Sequence, residues 1–90
     1  MRIAWDSTKA AVNEEKHGVS FEEAATVLSD PLAQSFEDDS GSECRFITLG
    51  HSAFQRALLV VWSEMASGMI RIISARKPTK RELSTYEKGI

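Results

Sequence analysis

The period of the apolar positions changes along this chain, and each change marks an element. Arg2 to Trp5 reads as a short first strand. Asp6 then stands as an N-cap, with Trp5 before it placed to staple onto Ala10, so a helix is predicted over residues 7–17. Gly18 sits where a left-handed residue ends such a helix. Ser20-Phe21-Glu22-Glu23 has the form of a capping box and opens a second helix at once. Phe21, Ala24, Ala25 and Leu28 give that helix an apolar face at helical spacing, and Asp30-Pro31 stops it.

From there the period falls to two. Leu32 to Glu37 reads as an edge strand, and Asp38-Asp39-Ser40-Gly41-Ser42 as a turn. Three further strands are predicted near 43–50, 54–63 and 69–76, with bends at Gly50-His51-Ser52 and Ala66-Ser67-Gly68. Ala57 to Trp62 is apolar on both faces, which marks the central strand. Pro78 and Thr79 open a last helix, where Thr79-Lys80-Arg81-Glu82 forms a second capping box. Leu83 and Tyr86 would dock that helix on the sheet. The predicted fold class is α+β: β-α-α, then a four-stranded antiparallel meander, then a C-terminal helix. Ninety residues make a single domain of this kind.

Composition narrows the setting. A chain 42% hydrophobic and 27% charged is an ordinary globular one. Its longest nearly apolar run, Ala57 to Trp62, is far short of a membrane span. The first residues lack the apolar stretch of a secretory signal, and one cysteine, Cys44, suits a reducing compartment, so a cytoplasmic location is expected. The net charge of −2 hides a division: residues 1–50 carry −6 and residues 51–90 carry +4. A nucleic acid would therefore meet most of its basic partners in the C-terminal half.

Candidate chemistry concentrates in two stretches. On the first helix Lys9, Asn13 and His17 form one stripe with Lys16 beside it, a set able to grip phosphate and move a proton. By spacing alone this is a solvated helix face, with His17 merely placed where the helix dipole favours a cation. Arg71 and Arg76 lie in an apolar strand, where an unpaired guanidinium is costly to bury. Their odd spacing sends them to opposite faces of a regular strand. Either a bulge intervenes or one arginine serves substrate while the other bridges to a carboxylate. Arg76, at the strand end, is the preferred phosphate ligand. Tyr86 packs its ring and keeps its hydroxyl for substrate; Glu82 reads as a cap, and His51 as a solvent-exposed hairpin residue. Trp5 and Trp62 read as core. Two histidines and one cysteine fit no metal-ligand spacing, so no metal or cofactor is expected.

The same stretches carry a resemblance. Trp5-Asp6, Lys9, Asn13, Lys16-His17-Gly18-Val19 and Phe21 follow the pattern W-D-x-x-K-x-x-x-N-x-x-K-H-G-V-x-F. Ile70-Arg71-Ile72-Ile73-Ser74-Ala75-Arg76, then Glu82-Leu83 and Tyr86, follow its closing counterpart. Together they resemble the BrnT family of bacterial type II toxins. The resemblance implies a RelE-like ribonuclease fold and metal-independent RNA cleavage that inhibits translation and growth, on free or ribosome-associated RNA. It also implies a BrnA-type antitoxin as partner, through which alone operator DNA is contacted. It moves Lys9, Asn13 and Lys16 to substrate binding, and His17, Arg71, Arg76 and Tyr86 to catalysis. On this reading His17 and Arg76 meet in one solvent-open pocket. Pro78 departs from the family pattern, where alanine is expected. The alternative is a catalytically inactive module of the same fold that binds an antitoxin and modulates transcription. A free-standing DNA-binding role is disfavoured, because no helix carries a basic recognition face.

Overall fold

The computed structural model describes residues 2–38 and 44–87. The chain runs β1 (Ile3–Ala4), α1 (Ser7–His17), α2 (Phe21–Val27), β2 (Gln34–Asp38), β3 (Arg45–His51), β4 (Ala57–Glu64), β5 (Ile70–Arg76) and α3 (Lys80–Glu87). The turn expected at 38–42 lies, from residue 39 on, outside the described residues.

Local chemistry sets the helix ends. The Asp6 carboxylate accepts from the Thr8 and Lys9 N–H groups at 2.8 and 3.1 Å. Gly18, at φ 69°, closes α1 by donating its N–H to Glu14 O. Ser20 Oγ accepts from the Glu23 N–H at 3.1 Å, but the second half of that capping box differs from expectation. The Glu23 carboxylate is buried, and turns instead to Arg56 (2.6 and 2.9 Å) and to the Ser52 hydroxyl (2.7 Å). A buried carboxylate needs a cation and donors more than a helix start needs a second cap. The Arg56 bonds hold its pKa below the usual range. Val27, rather than Ala25 or Leu28, completes the buried face of α2.

The sheet order is β1-β5-β4-β3-β2, with β4 central as its two apolar faces require. β2 to β5 form the antiparallel meander, and β1 adds a fifth strand, parallel to β5, through Ile3 opposite Ile70 and Ala4 opposite Arg71. Against one face, Leu58, Val60, Ile72 and Ala75 pack with Val19, Phe21, Ala24 and Val27 from the α1–α2 side. Against the other, Leu49 and Leu59 pack with Tyr86, flanked by Ile47, Val61 and Leu83. The helices therefore lie on both sides of the sheet.

Strand β5 resolves the arginine question with a bulge. Val61 pairs with Ser74 and Trp62 with Ile72, so Ile73 is an extra residue. Ile72 and Ala75 thus share one face despite their odd separation, and Arg71 and Arg76 share the other. β1 reaches only as far as Arg71, which leaves the β5 edge open at Ala75. There the Asn13 side chain takes the place of a strand: its amide donates to Ala75 O (2.9 Å) and Val19 O (3.0 Å) and accepts from the Ala75 N–H (3.1 Å). The amide expected to bind substrate is committed to the backbone.

Helix α3 begins with a complete capping box. Glu82 donates its N–H to Thr79 Oγ1 (3.1 Å), and Thr79 donates its own to Glu82 Oε1 (2.8 Å). Arg76 also meets both Glu82 oxygens at 3.0 Å. The Arg76 bonds first, then the Thr79 N–H, pull the Glu82 pKa from 4.5 to about 2.

Replacing Asn13 by Ala leaves three buried backbone groups unpaired, and should lower stability by roughly 2–4 kcal/mol in urea unfolding. Replacing Glu82 by Gln removes a carboxylate whose stabilisation is complete above its ordinary pKa of 4.5 and lost as pH falls through about 2. In thermal melts the gap between parent and Glu82→Gln should be widest above that window and close as pH falls across it.

Candidate active site

Residues paired across neighbouring strands point to the same side of a sheet, so the register fixes which side chains share the face under α3. One row across that face reads Gln34, Leu49, Leu59, Arg76. The next reads Phe36, Ile47, Val61, Ser74. Beyond it, Asp38 stands opposite Arg45 and Ser63 opposite Arg71. The middle of the face is thus apolar, and arginines from β3 and β5 border it.

α3 crosses one end of this face and leaves a depression of about 490 Å³ beside it. Leu49, Leu59, Ile47, Val61 and Phe36 form its floor. Gln34, Arg76, Arg81, Glu82, Thr85 and Tyr86 form its polar rim. The floor suits the flat face of a nucleobase, and the rim suits a phosphate. Arg76 is partly exposed, and its fork is engaged by Glu82. A phosphate entering here must share or replace that carboxylate. Arg71, half-buried, lies on the same face towards the other end of β5, outside the depression.

The α1 stripe lies elsewhere. Lys9, Lys16 and His17, with Thr8, Val12 and Asn13, line a shallower groove of about 290 Å³ against Ile73 and Ser74. The pocket expected to unite His17 with Arg76 is therefore two. The reason is local: α1 docks through Asn13 onto Ala75, and the next residue along the strand points to the opposite side. Lys9 and Lys16 are exposed, and His17 is half-buried.

One polar cluster was not anticipated from the sequence. β3 extends one residue further than predicted, to His51, whose Nδ1 lies 3.0 Å from Tyr86 Oη. Asp30, read only as a helix stop, accepts at Oδ2 from the His51 N–H (2.8 Å) and the Tyr86 hydroxyl (3.4 Å), and at Oδ1 from the Leu32 N–H (3.0 Å). These bonds, led by the His51 N–H, lower the Asp30 pKa. Burial first, then the Asp30 charge, raises that of Tyr86, which keeps its phenol protonated. Gly50 makes the approach possible, since a Cβ there would stand 2.9 Å from Asp30 Oδ2 and 2.8 Å from the Ala33 Cβ. Strand parity from Ile47 and Leu49 was the available signal that His51 shares their face.

Among the described residues, no group of three or more His, Cys, Asp and Glu is placed to hold a metal ion, and no helix is long and apolar enough to cross a membrane.

No protein of curated function matches the chain. The crystal structure of the Brucella abortus ribonuclease toxin BrnT superposes with a TM-score of 0.70 at 26% sequence identity, over 89% of this chain and 99% of that one. Residues 5–82 match the family described as the ribonuclease toxin, BrnT, of type II toxin-antitoxin systems. That match takes in the opening motif stretch, the bulged strand and the start of α3 as far as Glu82, and the chain belongs to the BrnT family of ribonuclease toxins.

Proposed function

We infer that this chain cleaves RNA without a metal ion on the sheet face beside α3. The observation that carries the reading is the convergence of Arg76, Arg81 and Tyr86 around an apolar floor, with Arg71 and Arg45 further along the same face. RNA brings its own nucleophile: the 2′-oxygen attacks phosphorus, the bond to the 5′-oxygen breaks, and a 2′,3′-cyclic phosphate remains. The protein must hold the strand, neutralise the phosphorane and move protons. Arg76 offers two parallel N–H donors to the phosphate in place of Glu82. Tyr86, whose one hydroxyl proton goes to Asp30, borders the ribose with its ring and orients it. Arg71 binds a neighbouring phosphate.

Lys9, Lys16 and His17 hold flanking phosphates in the groove beside β5 (Asn13 being tied to Ala75). An RNA strand passing the open edge of β5 reaches both the groove and the depression. Cleavage in the cytoplasm, on free or ribosome-associated messages, would stop translation and growth. A BrnA-type antitoxin would neutralise the chain and carry any contact with operator DNA.

Labelled RNA incubated with the purified chain and a chelator should be cut to products ending in 2′,3′-cyclic phosphate. Arg76→Lys, which keeps charge but loses the fork, should slow cleavage by about 10²-fold when assayed below its own melting temperature, which the weakened Glu82 pair lowers. An intact substrate at micromolar protein would instead favour the inactive, antitoxin-binding module.

A further inference from the structure

The face under α3 leaves one aromatic ring open to solvent. Gln34, Phe36 and Asp38 alternate onto that face of β2, and Phe36 stands opposite Ile47, with Val61 next in the row. β2 is an edge strand of the sheet, and Phe36 is 53% exposed. Among the described residues, the exposed large apolar side chains are Val12, Leu32, Phe36, Phe54 and Met65, and of these Phe36 alone lines the depression. The other aromatic residue there is Tyr86, which is buried against Leu49 and Leu59 with its hydroxyl held by Asp30. An open phenyl ring on an edge strand is a liability for association, and it continues an apolar floor instead of standing singly.

We propose that Phe36 is a base-stacking platform, which seats an unpaired nucleobase of the RNA whose phosphate Arg76 holds. This rests on the reading that RNA occupies this face. Phe36 and Arg76 both line the depression of about 490 Å³, so the space between them is open above Ile47, Leu49, Leu59 and Val61. By ordinary strand spacings their α-carbons are roughly 16 Å apart, three strands across and one row along. An extended guanidinium and a phenyl ring each reach into that gap, and a phosphate with the base beside it spans the rest. Stacking needs no particular hydrogen-bonding edge, because every base has a π-face, so the platform holds the strand without reading its sequence. Charge favours nucleic acid over an apolar peptide as the occupant. Arg76 and Arg81 stand on the rim, and Arg45 and Arg71 lie further along the face. Of the nearby carboxylates, Glu82 is paired with Arg76 and Asp38 stands opposite Arg45.

The test compares the parent chain with Phe36→Leu, which keeps apolar bulk but has no π-face, and Phe36→Trp, which enlarges that face. Two readouts are taken under chelator: cleavage of labelled single-stranded RNA, and binding of a 2′-O-methyl oligonucleotide, which lacks the nucleophile, by anisotropy. Phe36→Leu should raise KM and the oligonucleotide Kd by about tenfold, with kcat changed less than about threefold, as when a binding contact is lost. Phe36→Trp should stay within about threefold of the parent on both readouts, and the oligonucleotide should quench its added indole fluorescence. An oligonucleotide built of abasic nucleotides should bind the parent and Phe36→Leu alike, a result that a general loosening of the fold would not give. Phe36→Leu values of KM and Kd within about threefold of the parent would overturn the platform and leave the patch to a protein partner. So would an abasic oligonucleotide that loses as much affinity on Phe36→Leu as the intact one. If the parent leaves RNA uncut, the ribonuclease reading fails by itself, and oligonucleotide binding still decides for or against Phe36.

Discussion

The amide of Asn13 and the bulge at Ile73 act as one device, and the arrangement of the site follows from it. A strand edge that ends its pairing early leaves N–H and C=O groups needing partners. Here β1 stops at Arg71, and Asn13 satisfies both backbone groups of Ala75 while also binding Val19 O. That joins α1, the turn after it and β5 at one point. The bulge just before it resets the alternation, so Ala75 is buried against the helices and Arg76 points away from them. A regular β5 would have put the two arginines on opposite faces.

The second constraint lies two strands across, at the His51 end of β3. Asp30 ends the turns after α2 and reaches across Gly50 to His51 and Tyr86. It thereby ties the α2–β2 connection, the end of β3 and the last helix together. Glu23 does something similar on the opposite side, where its carboxylate joins α2 to the β3–β4 bend through Ser52 and Arg56. In a domain of this size, much of what holds its outer layers in place is polar, directional and intolerant of a missing partner. Such contacts also suit a site, because they fix side chains in angle as well as in distance.

Arg76 has a double attachment. In the free chain its fork closes on Glu82, which holds the start of α3 against the sheet. On the function proposed above, the same fork would also hold a phosphate, so substrate and helix would compete for one guanidinium that the pairing keeps ordered. The charge division along the sequence gains a spatial sense here. Arg71, Arg76 and Arg81, all from the C-terminal half, border the face under α3, whereas Glu14, Glu15 and Glu22 are exposed on α1 and α2 across the sheet.

Much of the fold was legible from local rules. The N-caps at Asp6, Ser20 and Thr79, the left-handed Gly18, the doubly apolar β4 and the docking pair Leu83 and Tyr86 each follow from short-range chemistry that a sequence displays. So do the two motif stretches that carry the family. Other features depended on contacts between residues far apart in the chain. Alternation left open whether Arg71 and Arg76 share a face, because a bulge depends on the partner strand. Helical spacing grouped Asn13 with Lys9 and His17, but the open edge of β5 claimed its amide. His51 looked like a bend residue until β3 ran one step further and met a tyrosine from the last helix. The sequence by itself determined the elements and the residue types available for chemistry, since propensity, capping and periodicity act within a few residues. Which of those residues face one another was decided only by strand register and by buried polar groups finding partners, and those are long-range constraints.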